Sequence, residues 1–275
     1  MRLLDCKCAG DARRYAASTM IQDQHMAGVN MTFLTENVPN DYYTAQTGKL
    51  LRDFDKMAKR CRKVLASHLG GKASDEIIQE TRQEFQRLIP EIPYIGGRKN
   101  GFTGEMIGCT MFLALYRVLK ARGKRVKEIG KIVVEIEEDR VQSYPKFLCR
   151  LLGWGLGRLG KSRLKKIAQE SRKRLYPGGW VATFVEGDGK EFDFGIDYTE
   201  CGLCKFFHQQ GADEFTPYLC LIDFVQQRAM NTGFSRSMTL AEGADQCDFR
   251  WKKGRETRPA WPPPWIEKSS RGKAT

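Results

Sequence analysis

The sequence has 275 residues and a net charge of +13 at pH 7, and its 41% hydrophobic and 29% charged content are typical of a globular protein. That length allows one large domain or two small ones. No apolar run is long enough for a transmembrane helix, and the first residues lack the apolar core of a signal peptide. We therefore expect a cytoplasmic protein without a membrane partner.

Nine cysteines and only three histidines narrow the chemistry further. An odd number of cysteines cannot all pair within one chain, and a chain of this size does not need disulfides for its stability. Without an export signal, free thiols or thiolates are expected rather than disulfides. The few histidines argue against a mechanism that needs several imidazoles.

The predicted organisation is α+β, with a helical first half followed by a small antiparallel sheet and its helices. Four regions are predicted along the chain. They are an N-terminal extension (1–50), a helical region (51–176), an α+β cysteine-bearing region (177–253) and a proline-rich tail (254–275). Residues 51–253 are expected to form one compact domain.

Helical spacing of apolar residues dominates the first half. One helix begins near Phe54 and ends at Gly70-Gly71, and a second begins near Ser74. Further helices are predicted over 105–119, where the sequence is apolar almost all round, and from Val126. The last helix of this half is predicted over 162–175.

The hydrophobic period changes after Pro177. Two extended segments around Gly187-Asp188-Gly189 predict a β-hairpin. A short helix is expected over 203–210, and Thr216-Pro217 predicts the start of a helix that ends near Gly233. The segments SRSMTLAEG and QCDFRWKK predict two final strands.

Residues 146–174 form the most basic stretch, with ten Lys and Arg against one acid, Glu170. Such a stretch indicates either a surface for a polyanion or a solvated helix face. Aromatic residues that would stack on bases are sparse here, so no nucleic-acid partner is expected.

A phosphate-loop pattern, G-x-x-x-x-G-K-S, lies within this stretch at 155–162. In a nucleotide-binding protein Lys161 would contact the terminal phosphates and Ser162 a magnesium ion. The pattern would need a buried strand before Gly155 and alternating βα units around it. Because neither is indicated, we interpret the segment as a glycine-rich turn between helices.

Four cysteines between residues 198 and 251 point to metal or thiol chemistry. Cys201 and Cys204 have a common metal spacing, and His208 lies four residues after Cys204 on the same helix face. With Cys220 or Cys247 these residues would complete a zinc or iron site. The alternative is that some of these cysteines are small buried hydrophobic residues.

Cys220 and Asp223 form the most specific pair. At a spacing of three on a helix, the thiol and the carboxylate share one face. A position near a helix N-terminus would favour thiolate, with Asp223 as proton carrier. The alternative is an ordinary amphipathic helix. Cys247 follows a glycine-containing turn, where a second thiol could approach a ligand.

Several segments of the chain resemble the L-2-amino-thiazoline-4-carboxylic acid hydrolase family. The matching segments are IPYIGGRKNGF (92–102), LALYRVLKARGK (113–124), FGIDYTECGLCKFF (194–207), TPYLCLIDF (216–224) and TLAEGADQCDFR (239–250). The family's pattern of a cysteine, then Cys-x-x-Asp, then a glycine turn before Cys-Asp-Phe is carried here by Cys201, Cys220, Asp223, Gly243, Cys247, Asp248 and Phe249.

The resemblance implies a hydrolase that opens a small cyclic amidine such as a 2-aminothiazoline carboxylate. Cys220, Asp223 and Cys247 are then the catalytic candidates, and Arg236, Arg250 and Asn100 are the candidates for binding this small-molecule substrate.

Two other functions stay open at this stage: a cysteine-ligated sensor or carrier without catalysis, and a nucleotide-dependent enzyme acting through Lys161. The sequence also leaves a homo-oligomer open.

Overall fold

The computed structural model describes residues 41–263 and confirms an α+β protein in which helices precede a small antiparallel sheet. Residues 1–40, most of the predicted N-terminal extension, and residues 264–275 of the tail lie outside the described residues. The described helices are α1 (Asp41–Thr44), α2 (Thr47–Leu69), α3 (Gly71–Leu88), α4 (Thr103–Ala121), α5 (Val126–Gln142), α6 (Lys146–Ser171), α7 (Gly202–Gln209), α8 (Thr216–Leu219) and α9 (Ile222–Ala229).

The first half is built as the apolar spacing predicts. The predicted apolar face of α2 is buried, and Phe54 stacks on Phe85 of α3 with ring centroids 5.7 Å apart. Gly70 joins the two helices with a φ of 83°, a conformation that favours glycine. The core reaches back to Tyr43 and Leu50, which precede the predicted boundary at residue 51.

Helix α4 is the central helix, since it packs against α3, α5 and α7. Its apolar side chains are buried over most of its circumference, as the all-round apolar sequence predicts. Glu105 lies in its first turn, at the end nearest the sheet region. This placement brings a residue of the helical half to the cysteine-bearing half.

The sheet has four antiparallel strands in the order β1-β2-β4-β3. They are β1 (Val181–Glu186), β2 (Phe194–Glu200), β3 (Phe234–Ser235) and β4 (Cys247–Trp251). The predicted hairpin is confirmed between β1 and β2, where Asp188 Oδ1 accepts hydrogen bonds from the backbone N–H groups of Lys190 (2.9 Å) and Glu191 (2.8 Å).

Strand register separates the sheet into two faces. Tyr198 pairs with Cys247, and Asp197 pairs with Asp248. Because successive side chains point to opposite faces, Tyr198 and Cys247 share one face and Asp197 and Asp248 share the other. The face with Tyr198 and Cys247 is called the inner face, and α6 and α9 cover it. The face with Asp197 and Asp248 is called the outer face.

Three predicted elements are wrong in detail. The predicted helix over 162–175 is the second part of α6, which begins at Lys146 and ends at Ser171. The predicted strand SRSMTLAEG contributes only Ser235 to β3, and Leu240–Glu242 is a single 3₁₀ turn. The predicted helix from Thr216 to near Gly233 is divided into α8 and α9 by a tight turn at Cys220 and Leu221, and it ends at Ala229.

The phosphate-loop pattern at 155–162 lies inside the continuous helix α6, so it forms neither a phosphate loop nor the turn that we expected. One nearby glycine has a packing role. A Cβ atom on Gly153 would lie 2.0 Å from the backbone oxygen of Met230, so α6 approaches the end of α9 closely at this point. Among the described residues no helix is long and apolar enough to cross a membrane.

Candidate active site

The sequence-predicted residues Cys220, Asp223 and Cys247 are brought together on the inner face of the sheet. Cys220 lies in the turn between α8 and α9, Asp223 in the first turn of α9, and Cys247 at the start of β4. Arg236 connects Asp223 and Cys220. Its Nη1 donates to Asp223 Oδ2 at 2.6 Å and its Nη2 donates to the Cys220 carbonyl oxygen at 2.9 Å.

Strand alternation places Arg236 at the site. Phe234 in β3 pairs with Trp251 on the inner face, and Arg236 follows two residues later on the same side. Its guanidinium lies 5.2 Å from the ring centroid of Phe224 and 5.1 Å from that of Phe249, and its side chain is 4% exposed. Arg236 is therefore a fixed internal cation, held by two rings and two oxygen acceptors.

Tyr198 is surrounded by the charged and thiol groups of the site. Burial, followed by the charges of Glu105, Asp223, Cys201 and Cys247, raises the pKa of its phenol. Its ring meets that of Phe249 edge to face, with centroids 5.2 Å apart. These influences place one glutamate, one aspartate and two thiols around a single ring.

The thiols are held in their protonated form. Burial raises the pKa of Cys220 well above its ordinary value, Arg236 opposes that change, and Asp223 adds to it. This direction is opposite to the thiolate that we expected from the helix N-terminus, because desolvation outweighs the amide dipoles here. Burial likewise raises the pKa of Cys247 to about 11, although its sulfur accepts a hydrogen bond from Leu240 N at 3.2 Å.

Two residues of α4 that sequence reasoning missed complete the cluster. Glu105 and Cys109 lie one helical turn apart and are half-buried. Burial, and after it Glu105, Asp223 and Cys220, raises the pKa of Cys109. The available signal was a lone carboxylate one turn before a cysteine in an otherwise apolar helix. We call the whole set the acid–thiol cluster: Glu105, Cys109, Tyr198, Cys201, Cys220, Asp223, Arg236 and Cys247.

The two carboxylates of this cluster have different surroundings. Burial raises the pKa of Asp223, and Arg236 opposes that rise through its charge and its hydrogen bond. Burial and the charge of Asp223 raise the pKa of Glu105 to about 7. Within residues 41–263 no cation pairs with Glu105. Asp223 is thus matched to a fixed cation, whereas Glu105 is suited to gain and lose a proton near neutral pH.

The residues of the predicted metal site are not all gathered at the cluster. Cys201 and Cys204 remain close, and a hydrogen bond to Cys204 is the largest influence that raises the pKa of Cys201. His208, however, has a 77% exposed side chain and pairs with Asp213, with Nδ1 3.0 Å from Oδ1. Across the described part of the chain, no group of three or more His, Cys, Asp and Glu side chains is arranged to hold a metal ion.

Arg250 and Asn100, the other predicted substrate-binding residues, have different partners. Arg250 lies on the outer face, where its Nη1 donates to Asp197 Oδ1 at 2.6 Å. Strand alternation therefore separates it from Cys247, three residues earlier in the same strand. Asn100 donates to the backbone oxygen of Ile95 and accepts from Phe102 N at 2.9 Å, so its amide shapes the loop before α4.

Asp248, part of the Cys-Asp-Phe pattern, also lies on the outer face. Its carboxylate accepts hydrogen bonds from Ser237 N at 2.8 Å, Ser237 Oγ at 2.6 Å and Met238 N at 2.8 Å. These bonds tie the segment after Arg236 to β4. The residue therefore supports the position of Arg236 and Cys247 from the opposite side of the sheet.

Comparison with known proteins identifies one family. The sequence model of one family, the L-2-amino-thiazoline-4-carboxylic acid hydrolases, matches residues 105–251, more than half of the chain. That match begins at Glu105 and includes every residue of the acid–thiol cluster. Searches of the curated proteins and of the solved structures found no match. The chain therefore belongs to the L-2-amino-thiazoline-4-carboxylic acid hydrolase family.

Proposed function

We propose that this protein is a hydrolase that opens a small cyclic amidine of the 2-aminothiazoline carboxylate type in the acid–thiol cluster. The observation that carries the proposal is the meeting of two carboxylates, Glu105 and Asp223, with the Cys220 thiol inside the family-matched region. Opening such a ring needs a group that holds the amidine, a nucleophile and a proton carrier. The cluster contains one candidate for each.

Asp223 is the group suited to hold the amidine. An amidine carries N–H donors and becomes a cation when protonated, and carboxylates pair with such groups through charge-assisted hydrogen bonds. Arg236 occupies Oδ2 of Asp223, while the aspartate side chain remains 30% exposed. The second oxygen is thus available to accept from the substrate. Arg236 itself is a positioning residue, because its 4% exposed guanidinium is already bound to Asp223 and Cys220.

Glu105 is the group suited to move a proton. A carboxyl group with a pKa of about 7 exists in both forms at neutral pH, which is the best condition for general acid–base catalysis. The Cys220 thiol has a raised pKa and needs a base to become a nucleophile. Glu105 would take a proton in the attacking step and return it to the leaving group.

In the covalent route, the Cys220 sulfur forms a bond to the amidine carbon while its proton passes to Glu105. The tetrahedral adduct then breaks the bond from that carbon to the ring nitrogen, which accepts the proton and leaves as an amine. Water adds next to the same carbon and gives one proton to the exocyclic nitrogen. Its second proton passes to the Cys220 sulfur, which departs with the electron pair of its bond to carbon and is a thiol again. The sum is ring plus water giving the ring-opened product, without an oxidant or reductant.

In the alternative route for the same reaction, Asp223 or Glu105 activates water, which attacks the carbon directly. The products are identical, but no sulfur–carbon bond forms between protein and substrate. Cys220 and Cys247 then line the site and exclude bulk water. The two routes predict different effects of replacing Cys220 with serine on the rate of turnover.

The test is turnover of 2-amino-2-thiazoline-4-carboxylate by the full chain, measured by chromatography of the product. For the covalent route, Cys220→Ser is expected to lower the rate by at least about 10³-fold. Cys149→Ser is the matched control, since Cys149 is buried in α6 outside the cluster. Retained turnover in Cys220→Ser rules out the covalent route, and binding without turnover by the unmodified protein overturns the hydrolase in favour of a carrier.

A further inference from the structure

Helix α6 has one packed face and exposes apolar side chains elsewhere on its surface. The packed face contains Cys149, Gly153, Gly160, Leu164 and Ala168. On the other side Phe147, Leu151 and Trp154 are 73%, 57% and 63% exposed. Their spacing of four and then three residues places them on one stripe of the helix. Exposed aromatic and leucine side chains in a row indicate a surface that meets an apolar partner.

The same stripe continues with cations. Arg158, Lys161 and Lys165 follow Trp154 at spacings of four, three and four, and the Arg158 guanidinium lies 5.6 Å from the Trp154 ring centroid. Lys161 and Lys165 face Glu186, whereas no described acid pairs with Lys146, Arg150 or Arg158. One helix face therefore presents an apolar segment beside a basic one.

We propose that this stripe docks the protein on an anionic lipid bilayer surface. The Phe147, Leu151 and Trp154 side chains would enter the boundary between headgroups and acyl chains, while the flanking cations would contact lipid phosphates and carboxylates. This is a surface contact and not a membrane span, and it revises our expectation of a protein without a membrane partner. It is independent of the proposed hydrolase activity, because none of its residues belongs to the acid–thiol cluster.

Charge complementarity favours this occupant over the others. Residues 146–174 contain ten Lys and Arg against one acid, in a chain of net charge +13. A second copy bound through the same face would bring two such basic segments together, which like-charge repulsion opposes. A nucleic acid would use the cations and rings but would leave Phe147 and Leu151 without an apolar environment. An anionic bilayer satisfies both parts of the stripe at once.

The experiment is co-sedimentation of the full chain with phosphatidylcholine vesicles that contain no anionic lipid or about 30% phosphatidylserine. Binding is expected for the anionic vesicles and is expected to weaken with salt. The triple variant Phe147→Ser, Leu151→Ser, Trp154→Ser should lower the affinity by at least about tenfold. Leu159→Ser is the matched control, because Leu159 is 70% exposed on the same helix but lies off the stripe.

Three results would overturn the proposal, provided that circular dichroism shows both variants to be folded. The first is an equal affinity of the triple variant and the unmodified protein for anionic vesicles, or no binding by either. The second is an unmodified protein that sediments as a dimer and a triple variant that sediments as a monomer, which would make the stripe a self-association surface. The third is binding of a single-stranded oligonucleotide by an unmodified protein that binds neither kind of vesicle, which would make the stripe a nucleic-acid surface.

Discussion

The two faces of the sheet carry the same interaction in different surroundings. On the inner face Arg236 Nη1 lies 2.6 Å from Asp223, and on the outer face Arg250 Nη1 lies 2.6 Å from Asp197. The inner arginine is 4% exposed, lies between two aromatic rings and is influenced by the Cys220 and Cys247 thiols, while its partner Asp223 influences Glu105. No thiol is among the described contacts of the outer pair, and the neighbouring carboxylate, Asp248, already accepts hydrogen bonds from Ser237 and Met238. The distance within an ion pair therefore does not distinguish the candidate site from the rest of the sheet, whereas the groups around the pair do.

The largest difference is expected when each aspartate is neutralised. Asp223→Asn removes the charge that we propose holds the amidine, so its kcat/KM should fall by about 10²-fold to 10³-fold. Asp197→Asn removes the same kind of charge from the same kind of pair and should change kcat/KM by less than about twofold. Initial rates with the 2-aminothiazoline carboxylate substrate measure both. A comparable loss in the two variants would remove the functional distinction between the faces.

Glu105→Gln tests whether the inner face depends on a second, titrating carboxyl group. Gln keeps the shape but cannot carry the proton, so the rate at neutral pH should fall by about 10²-fold and the change in rate near pH 7 should disappear. Glu128→Gln is the control, because Glu128 lies in the first turn of α5 outside the cluster. A pH–rate profile that keeps its inflection near pH 7 in Glu105→Gln would assign that inflection to another group.

The same variant should increase stability at neutral pH. Since the folded protein holds the Glu105 proton up to a pH of about 7 and the unfolded chain only to about 4.5, the stabilising contribution is complete below pH 4.5 and is lost as the pH rises to about 7. Gln retains the neutral form at every pH. Urea unfolding at pH 8 should therefore show Glu105→Gln more stable by about 3 kcal/mol, with no difference at pH 4.

The sequence could predict the inner-face thiol and carboxylate because their relation is local. Cys220 and Asp223 are three residues apart, and the turn at Cys220 and Leu221 keeps backbone angles close to helical, so the two residues stay on one side. The turn at Gly187-Asp188-Gly189 was predictable for the same reason, since its hydrogen bonds stay within a few residues. Local geometry did not reveal the break between α8 and α9, so the sequence predicted one continuous helix there.

The role of Glu105 could not be predicted because it depends on contacts distant in the sequence. Its influence reaches Tyr198 and Asp223, which follow it by more than ninety residues. For a related reason, the sequence could not show that Arg236 lies at the cluster and Arg250 does not. The face on which each arginine lies depends on the alternation of side chains along its strand. Strand β3 is too short to show that alternation in the sequence. The predicted strand over SRSMTLAEG is mostly a loop held by Asp248.

Helix α6 shows how a local motif can mislead. The glycines that complete the phosphate-loop pattern lie within a helix, and neighbouring Gly153 is required because the Met230 carbonyl oxygen approaches it. The pattern therefore reflects the composition of a closely packed helix rather than a bound nucleotide. The exposed stripe of α6 became evident only when the packed face was known. A helix with apolar residues on several sides shows no single apolar side in its sequence.

The smallest difference between the two faces is expected when each arginine becomes lysine. Arg236 donates from two nitrogens, Nη1 to Asp223 and Nη2 to the Cys220 carbonyl, and a single ammonium cannot reproduce that fork. Arg250 donates to Asp197 and to the Phe249 carbonyl from the same nitrogen, Nη1, which an ammonium can imitate. We expect Arg236→Lys to lower the free energy of unfolding by about 2 kcal/mol and Arg250→Lys by about 0.5 kcal/mol, measured by urea denaturation at pH 7. Equal losses would mean that burial between Phe224 and Phe249 adds nothing to the inner pair, and the contrast between the faces would then rest on the titrating groups alone.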